Sequence, residues 1–301
     1  MPEKFLILDS NSILYRAYFA LPKLTTKKGE VVNGVYGFLL VLFKLIKEIK
    51  PQYIAACFDF PAPTFRHKEF KEYKAQRPKM PDDLFSQIPK LKKVLNAFSI
   101  SIFEKEGFEA DDLIGTLIDL SPKDIEKIIV TGDFDTFQLI KNNVKVYLLQ
   151  RGVKKAQIFN EEKAKEKFGG LKPDQIPDFK ALVGDSSDNI LGIEGIGPKT
   201  ARMLLLKYKN IEGILRNIKQ DSEIKENLKE KILKNREKLF LNLKLAKIER
   251  KVELKLEFEK LRFGNYNEEK VKEILEEFEF KSLAKRLKEL HSNSKSLKLF
   301  E

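Results

Sequence analysis

Short apolar runs alternate with helix-patterned segments through the first half of this chain, and that alternation constrains the fold more than any other feature. The runs have the length and composition of buried strands: FLILD at 5–9, YIAACFD at 53–59, SISIF at 99–103, KIIVTGD at 127–133 and VKVYLL at 144–149. Helical patterns occupy 35–49, 83–98, 109–120 and 135–141. The order predicts an α/β fold with a mostly parallel central sheet and helices on both faces. From Glu161 onward the pattern is mainly helical.

Acidic residues stand where the predicted strands end. Each one alone also suits a helix N-terminus or a turn. The carboxyl ends of parallel strands, however, line one edge of an open sheet, so carboxylates from distant stretches are expected to meet there. The acids that this prediction brings together, including two from the helical half, are Asp9, Asp59, Glu109, Asp111, Asp112, Asp133, Asp135, Asp185 and Asp188.

So many converging carboxylates require positive charge, because like charges at close range raise pKa values or destabilise the fold. Mg²⁺ suits an all-oxygen ligand set, and Mn²⁺ is expected to substitute for it. The chain has only two histidines and no GxxxxGK[ST] loop, which argues against a zinc hydrolase and an ATP-driven machine. The pattern therefore indicates hydrolysis of phosphodiesters with two or more divalent ions.

The charge balance favours an anionic partner. The formal net charge is +12, and residues 199–251 hold 16 Lys+Arg against 7 Asp+Glu. A solvated helical face would show a similar mixture of Lys and Glu, so the charge alone does not identify nucleic acid. The single cysteine, Cys57, indicates a reducing cytoplasm, and no apolar run is long enough to cross a membrane.

Residues 61–81 combine basic and aromatic side chains between flanking prolines. Helical spacing would place Arg66, Phe70, Tyr73 and Arg77 on one face with Lys74 beside them. Cations that meet phosphates and rings that stack on bases suit a single nucleic-acid strand. A surface helical hairpin with a small apolar contact is the structural alternative.

Taken in order, several stretches resemble the 5′ nuclease (flap endonuclease) family, and most closely the 5′–3′ exonuclease domain of bacterial DNA polymerase I and its free-standing relatives. The matching stretches are LILDSNSILYRAYFALP, FDFPAPTFRHKEFKEYKAQRPKMPDDL, EGFEADDLIGTL, TGDFDTFQL and GDSSDNILGIEGIGPKTA. The resemblance implies a PIN-like nuclease core at 1–170 with an arch at 61–81. It also implies a helical DNA-binding subdomain at 171–290, with a helix-hairpin-helix variant around 184–208, and a tail at 291–301.

The resemblance also implies roles for individual residues. It makes the nine acids metal ligands or supports of metal ligands. Lys74, Arg77 and Arg16 become phosphate contacts beside the metals, and the hairpin residues Gly195, Gly197 and Lys199 grip the duplex backbone. A potassium ion at the hairpin is a further possibility. The implied partners are DNA with 5′ flaps, nicks or 5′ ends and a separate DNA polymerase, and the protein is expected to be a monomer without a membrane partner.

Two positions depart from the family pattern. Phe134 stands where relatives commonly carry Lys, and Leu191 stands where they usually carry Pro. Two other functions remain open on sequence: a junction-binding module without catalysis, and a PIN-like ribonuclease. The intact acid set argues against the first, and the GIEGIGPKTA element argues against the second.

Overall fold

A six-stranded sheet forms the centre of the first half of the chain. The computed structural model describes residues 2–150 and 155–295. The strand order is β3-β2-β1-β4-β5-β6, and every neighbouring pair is parallel except β5 and β6. The strands are β1 Lys4–Asp9, β2 Tyr53–Cys57, β3 Ser101–Phe103, β4 Glu126–Thr131, β5 Val144–Gln150 and β6 Lys155–Phe159.

Helices cover both faces of the sheet and form most of the second half of the chain. In the first half they are α1 Ser10–Ala20, α2 Asn33–Ile49, α3 Phe65–Glu69, α4 Asp82–Phe85, α5 Gln87–Ala97 and α6 Ala110–Leu120. The later helices are α7 Glu161–Lys167, α8 Ile176–Val183, α9 Pro198–Tyr208, α10 Ile211–Asn217, α11 Glu226–Lys234, α12 Arg236–Ala246, α13 Glu268–Glu277 and α14 Lys281–Lys295. Short 3₁₀ helices lie at Asp135–Leu139, Pro173–Gln175, Ile218–Gln220 and Phe258–Leu261.

The central strands are apolar on both faces because each face carries its own core. On β1, Leu6 and Leu8 belong to one core, whereas Phe5 and Ile7 belong to the other. The first core includes side chains from α2, α5, α13 and α14, and the second includes side chains from α6. This double burial is typical of parallel strands and explains why they read as continuous apolar runs.

The helical half has a separate core of its own. Helix α8 packs against α12 and α9, and a short antiparallel ladder joins Gly184–Asp185 (β7) to Ile190–Leu191 (β8). Helices α13 and α14 then leave this core and pack on α5 and α2 of the α/β part. The chain therefore returns to the body in which it started.

The predicted fold class is confirmed, and the differences are local. All five predicted strands are present, and the antiparallel strand β6 and helix α1 were not predicted. The helix predicted over 135–141 is a 3₁₀ helix at Asp135–Leu139. The helical face predicted across residues 66–77 is wrong, because α3 ends at Glu69 and turns follow it. In the predicted tail, residues 291–295 belong to α14, and 296–301 lie outside the described residues.

Candidate metal centre at the carboxyl edge of the sheet

The end of β1 fixes the first acid of the site. Asp9 is the last residue of β1 and also caps α1, since its Oδ1 accepts a hydrogen bond from Ser12 N at 3.2 Å. Its Oδ2 accepts one from Thr131 Oγ1 at 2.6 Å, at the end of the neighbouring strand β4. The strand passes directly into the helix, so the Asp9 carboxylate is held rigidly at the sheet edge.

The start of α6 supplies three more acids with different surroundings. Glu109 and Asp112 form a capping box, in which Asp112 Oδ2 accepts from Glu109 N at 3.0 Å. Asp111 lies between them and points into the cavity described below. Asp59, which follows β2, accepts a hydrogen bond from Ala110 N at 2.8 Å and so joins the same helix start.

A cavity of about 710 Å³ opens at this edge. Residues from β1, the loop after β2, α6 and the loop after β4 line it. The acids in its wall are Asp9, Asp59, Glu109, Asp111 and Asp133, and the cations are Arg16, Lys74 and Arg77. Far-apart parts of the sequence thus bring five of the nine predicted acids to one cavity.

Burial and mutual repulsion make part of this cavity a poor place for uncompensated negative charge. Burial, together with the charges of Asp59 and Asp133, raises the pKa of Asp9 to about 7. Burial and the Asp9 charge raise the pKa of Asp111 well above its usual value. In the described chain, no lysine or arginine forms an ion pair with Asp9, Asp59, Asp111 or Asp133. The cavity is therefore built to receive a cation.

Three of the four remaining acids form a second group. Carboxylate oxygens of Asp135, Asp185 and Asp188 lie within 4.8 Å of one another. Unlike Asp9, Asp59, Asp111 and Asp133, these acids form ion pairs: Lys180 Nζ contacts Asp135 and lies 2.6 Å from Asp185 Oδ2, and Arg77 Nη2 lies 2.6 Å from Asp188 Oδ1. Both groups offer oxygen ligands only, which suits a hard divalent ion.

Asp112 does not share this environment. It is fully buried and forms a bidentate ion pair with Arg66, with both N–O distances 2.8 Å. The same guanidinium donates from Nε to Leu245 O at 2.9 Å and from Nη2 to Lys247 O at 2.8 Å. Asp112 is therefore a support residue, and the pair ties the start of α6 to the end of α12.

Two residues of segment 61–81 that the sequence predicts to contact DNA are buried, as Asp112 is. Arg66 is only 2% exposed and Tyr73 only 3%. The Tyr73 hydroxyl donates to Asp188 Oδ2 at 3.0 Å and lies 3.2 Å from Glu109 Oε2, so its ring is not an open platform for a base. The prediction failed because it assumed one continuous helix across this segment.

The predicted phosphate contacts do lie at the cavity. Lys74 has a left-handed backbone (φ 56°), its N–H donates to Asp188 O at 3.0 Å, and its Nζ lies 2.6 Å from Glu109 Oε1. Burial raises the pKa of Glu109, but Lys74 and Arg66 outweigh that effect and lower it below its usual value. Arg16 donates to Gly132 O in the loop after β4.

The hairpin residues lie apart from the cavity. Gly195, Gly197 and Lys199 are exposed around the start of α9, and none of them is in the described cavity wall. Behind them, Asn242 of α12 donates to Ala181 O and Leu191 O at 3.0 and 2.9 Å, which fixes the hairpin on α8.

The positions that depart from the family pattern are both exposed. Phe134 is 39% exposed, and the Lys167 ammonium lies 4.8 Å from the centre of its ring. Leu191 is 65% exposed. Sequence reasoning missed Lys180 altogether, because a lysine inside IPDFKALVGD gives no sign of which acids it will meet. Within the described ranges, no helix is long and apolar enough to span a bilayer.

Comparisons with known proteins agree with this architecture. Residues 4–169 match the family model of the 5′–3′ exonuclease N-terminal resolvase-like domain, and residues 171–269 match that of the 5′–3′ exonuclease C-terminal SAM fold. The chain is 41% identical to a 5′–3′ exonuclease of Aquifex aeolicus, across 98% of each chain. It is 44% identical to DNA polymerase I of Caldicellulosiruptor bescii over 94% of this chain, which spans 33% of that polymerase.

Solved structures share the fold at low sequence identity. The T5 D15 protein co-crystallised with metal ions has a TM-score of 0.70 and 18% identity, over 96% of this chain and 100% of that one. The catalytic core of Rad2 in complex with DNA substrate has a TM-score of 0.63 and 16% identity, over 96% and 91% of the respective chains. These matches show the fold, and the two family models, which follow one another along the sequence, together with the Aquifex relative show the family. The chain belongs to the 5′–3′ exonuclease family.

Proposed function

We propose that this protein is a divalent-metal-dependent 5′ nuclease that hydrolyses phosphodiester bonds of DNA at 5′ flaps, nicks and 5′ ends. One observation carries the proposal: Asp9, Asp59, Asp111 and Asp133, from four distant parts of the chain, line one cavity without a basic partner in the described chain. Family membership and the DNA-bound Rad2 neighbour support the same class of reaction.

The metal ions we propose are two or more Mg²⁺, with Mn²⁺ as a substitute. Such ions supply positive charge for the phosphate oxygens and activate the attacking water. Asp9, Asp111 and Asp133 would hold one ion, and Asp135, Asp185 and Asp188 are the residues for a second. The T5 neighbour was crystallised with metal ions, which agrees with this assignment.

The residues of the chain itself would position the DNA. Lys74 and Arg77 lie at the cavity and contact Glu109 and Asp188, so each is placed to exchange a carboxylate for a substrate phosphate. Arg16 is held beside the same site through Gly132 O. The resulting products are a 5′-phosphate on one fragment and a 3′-hydroxyl on the other.

The helical half would hold the duplex. In this proposal residues 1–170 cleave the DNA. Residues 171–290 bind the duplex through the exposed N-terminus of α9 and through Lys199. Contacts of this kind make binding strongly salt-dependent. A potassium ion at the hairpin is also part of the proposal. Lys238 Nζ donates to Gly192 O at 2.9 Å, so one carbonyl of the hairpin already contacts a cation of the protein.

The remaining partners and the compartment are also proposals. Relatives that carry this chain as a third of DNA polymerase I suggest that it works with a DNA polymerase. Primer and flap removal during replication and repair follow from that partnership. We propose that it acts as a monomer, and in the cytoplasm, where it would meet its DNA substrate.

The test is cleavage of a 5′-labelled flap oligonucleotide by protein stripped with EDTA and then given Mg²⁺. We expect cleavage only with Mg²⁺, and loss of cleavage in Asp133→Asn. Lys92→Met, which alters a surface ion pair with Glu104, is the control and should cut at the wild-type rate. Tight flap binding without cleavage in Mg²⁺ would instead identify a junction-binding module. Preference for an RNA 5′ overhang over the DNA one would identify a ribonuclease.

A further inference from the structure

Lys180 is a half-buried cation placed among acids that the proposed function assigns to a metal. It lies on α8, and its side chain is 15% exposed. Its ammonium contacts Asp135 and lies 2.6 Å from Asp185 Oδ2. Burial disfavours the charged lysine, but the two carboxylates outweigh that effect and raise its pKa. Lys180 therefore places a protein cation between two carboxylates of the proposed metal site.

The two acid groups of the site differ in their resident positive charge. Asp135, Asp185 and Asp188 meet two cations, Lys180 and Arg77. Asp9, Asp59, Asp111 and Asp133 form no ion pair within the described chain, although Arg16, Lys74 and Arg77 line the same cavity. A divalent ion entering the Asp135–Asp185–Asp188 group must displace an ammonium that already lies between two ligands. An ion that binds Asp9, Asp111 and Asp133 breaks no ion pair of the described chain.

We propose that Lys180 is the resident counter-cation of the Asp135–Asp185–Asp188 group and makes its affinity for a divalent ion much weaker than that of the Asp9–Asp111–Asp133 group. The inference rests on the proposed function, which it extends to the order of metal loading. The protein alone then holds one ion firmly. The second ion binds only when Lys180 moves away from Asp135 and Asp185.

The physical basis is competition: the carboxylates of Asp135 and Asp185 attract either the Lys180 ammonium or a metal ion. Opposite charges a few ångströms apart attract strongly in a partly buried site, because the effective dielectric constant there is well below that of water. In the resting protein that attraction stabilises Lys180 between its two acids, and a metal ion must exceed it before it can bind. Lys180 acts on the metal through the ligands, so it is a positioning residue and contacts neither DNA nor the reacting atoms.

The experiment is titration of metal-free protein with Mn²⁺ in the absence of DNA, followed by calorimetry and by the Mn²⁺ electron paramagnetic resonance signal. We expect one strong and one weak site in the wild type. Lys180→Met should strengthen the weak site about tenfold or more and leave the strong site unchanged. Lys180→Arg, which keeps the cation, should resemble the wild type.

A matched control is available on α9. Lys207 pairs with Asp221 and Glu223 at 2.5 and 2.6 Å, away from the cavity. Lys207→Met removes the same charge and two ion pairs, so it corrects for the change in net charge and should alter neither Mn²⁺ site. A weak site strengthened equally by both Met variants would overturn the inference.

The outcomes separate the inference from the proposed function. A strong Mn²⁺ site with a second site that Lys180→Met leaves unchanged or weakens would overturn the role of Lys180 alone. Absence of any Mn²⁺ binding to the wild type would overturn both. If Lys180→Met is destabilised without metal, its melting temperature supplies the readout. Mn²⁺ must then raise that temperature more than in the wild type, and an equal or smaller rise contradicts the inference.

Discussion

Asp111 and Asp112 are adjacent in the chain and opposite in their surroundings. Asp112 is fully buried and paired with Arg66 through two hydrogen bonds of 2.8 Å. Asp111 lines the cavity, and the described chain offers it no ion pair. The first turn of α6 thus directs the Asp111 carboxylate to the cavity of the proposed metal and the Asp112 carboxylate inward to Arg66. One of these neighbours serves the proposed function, and the other stabilises the fold.

The two aspartates should therefore respond oppositely to substitution in metal-free buffer. Asp112→Ala removes the two 2.8 Å hydrogen bonds of the buried Arg66 guanidinium and leaves it only Glu109, at 3.3 Å, as a carboxylate partner. We expect a loss of about 3 kcal/mol in the free energy of unfolding. Asp111→Asn removes a charge that its surroundings disfavour, so stability should stay the same or rise. Urea denaturation in EDTA measures both, and equal losses for the two variants would contradict the division of roles.

Stability without metal should depend on pH in an unusual direction. The Asp9 carboxyl has a pKa of about 7 in the folded protein against 3.8 ordinarily. The folded state then binds more protons than the unfolded state between these values, so stability falls as pH rises from about 4 to about 7 and levels off above that. Melting temperatures in EDTA across this range measure the effect.

Asp9→Asn and added Mg²⁺ provide the controls for this pH dependence. The substitution removes one of the carboxyls whose pKa is raised, while Asp111 remains, and should make the slope shallower. Mg²⁺ should flatten the slope further, since a bound divalent ion keeps the carboxylates ionised. A wild-type protein whose metal-free stability rises between pH 4 and 7 would disprove the prediction.

Lys74→Ala should slow flap cleavage more than it weakens duplex binding. Its ammonium lies at the cavity, 2.6 Å from Glu109 Oε1, and away from the hairpin proposed to hold the duplex. Loss of one charged donor to a phosphate in the transition state corresponds to a decrease of about a hundredfold in turnover. Single-turnover cleavage and duplex affinity should be measured side by side, with the exposed arch lysine Lys71→Ala as the control. Equal losses in rate and affinity would argue against this role of Lys74.

Two glycines of the hairpin allow stability to be separated from DNA binding. A Cβ at Gly192 would overlap the Val183 carbonyl group, whereas one at Gly197 would have nothing within 4 Å. Gly192→Ala should destabilise the helical half by about 1–3 kcal/mol and lower its melting temperature. Gly197→Ala should leave the melting temperature unchanged and weaken duplex binding, because the methyl group would stand where a phosphate approaches. Unchanged affinity in Gly197→Ala would contradict the hairpin contact.

The sequence was sufficient for features set by local periodicity and was insufficient for those set by tertiary contacts. Apolar runs such as FLILD and KIIVTGD identified the sheet, and its parallel order brought Asp9 and Asp133 to one edge. Helix α1 was missed because β1 runs into it without a loop, and Asp9 serves both elements. The continuous arch helix was wrong because Lys74 turns left-handed and gives its N–H to Asp188 O.

The partners of the acids could not be predicted for the same reason. Lys180 meets Asp135 across 45 positions of sequence, and Arg66 meets Asp112 across 46. Neither spacing corresponds to a repeat of a helix or a strand. Packing between elements decides which carboxylates are paired and which remain available for a metal ion. The sequence indicates each element separately and does not indicate that packing.

The return of α13 and α14 to the α/β body has a consequence for anyone who divides this chain. Val271, Leu275, Leu283 and Leu287 are buried against the layer formed by α2 and α5. A truncated chain ending at residue 169, the limit of the first family match, would expose the apolar side chains of α2 and α5 to water. Such a fragment should aggregate, and supplying residues 268–295 as a separate peptide should restore its solubility.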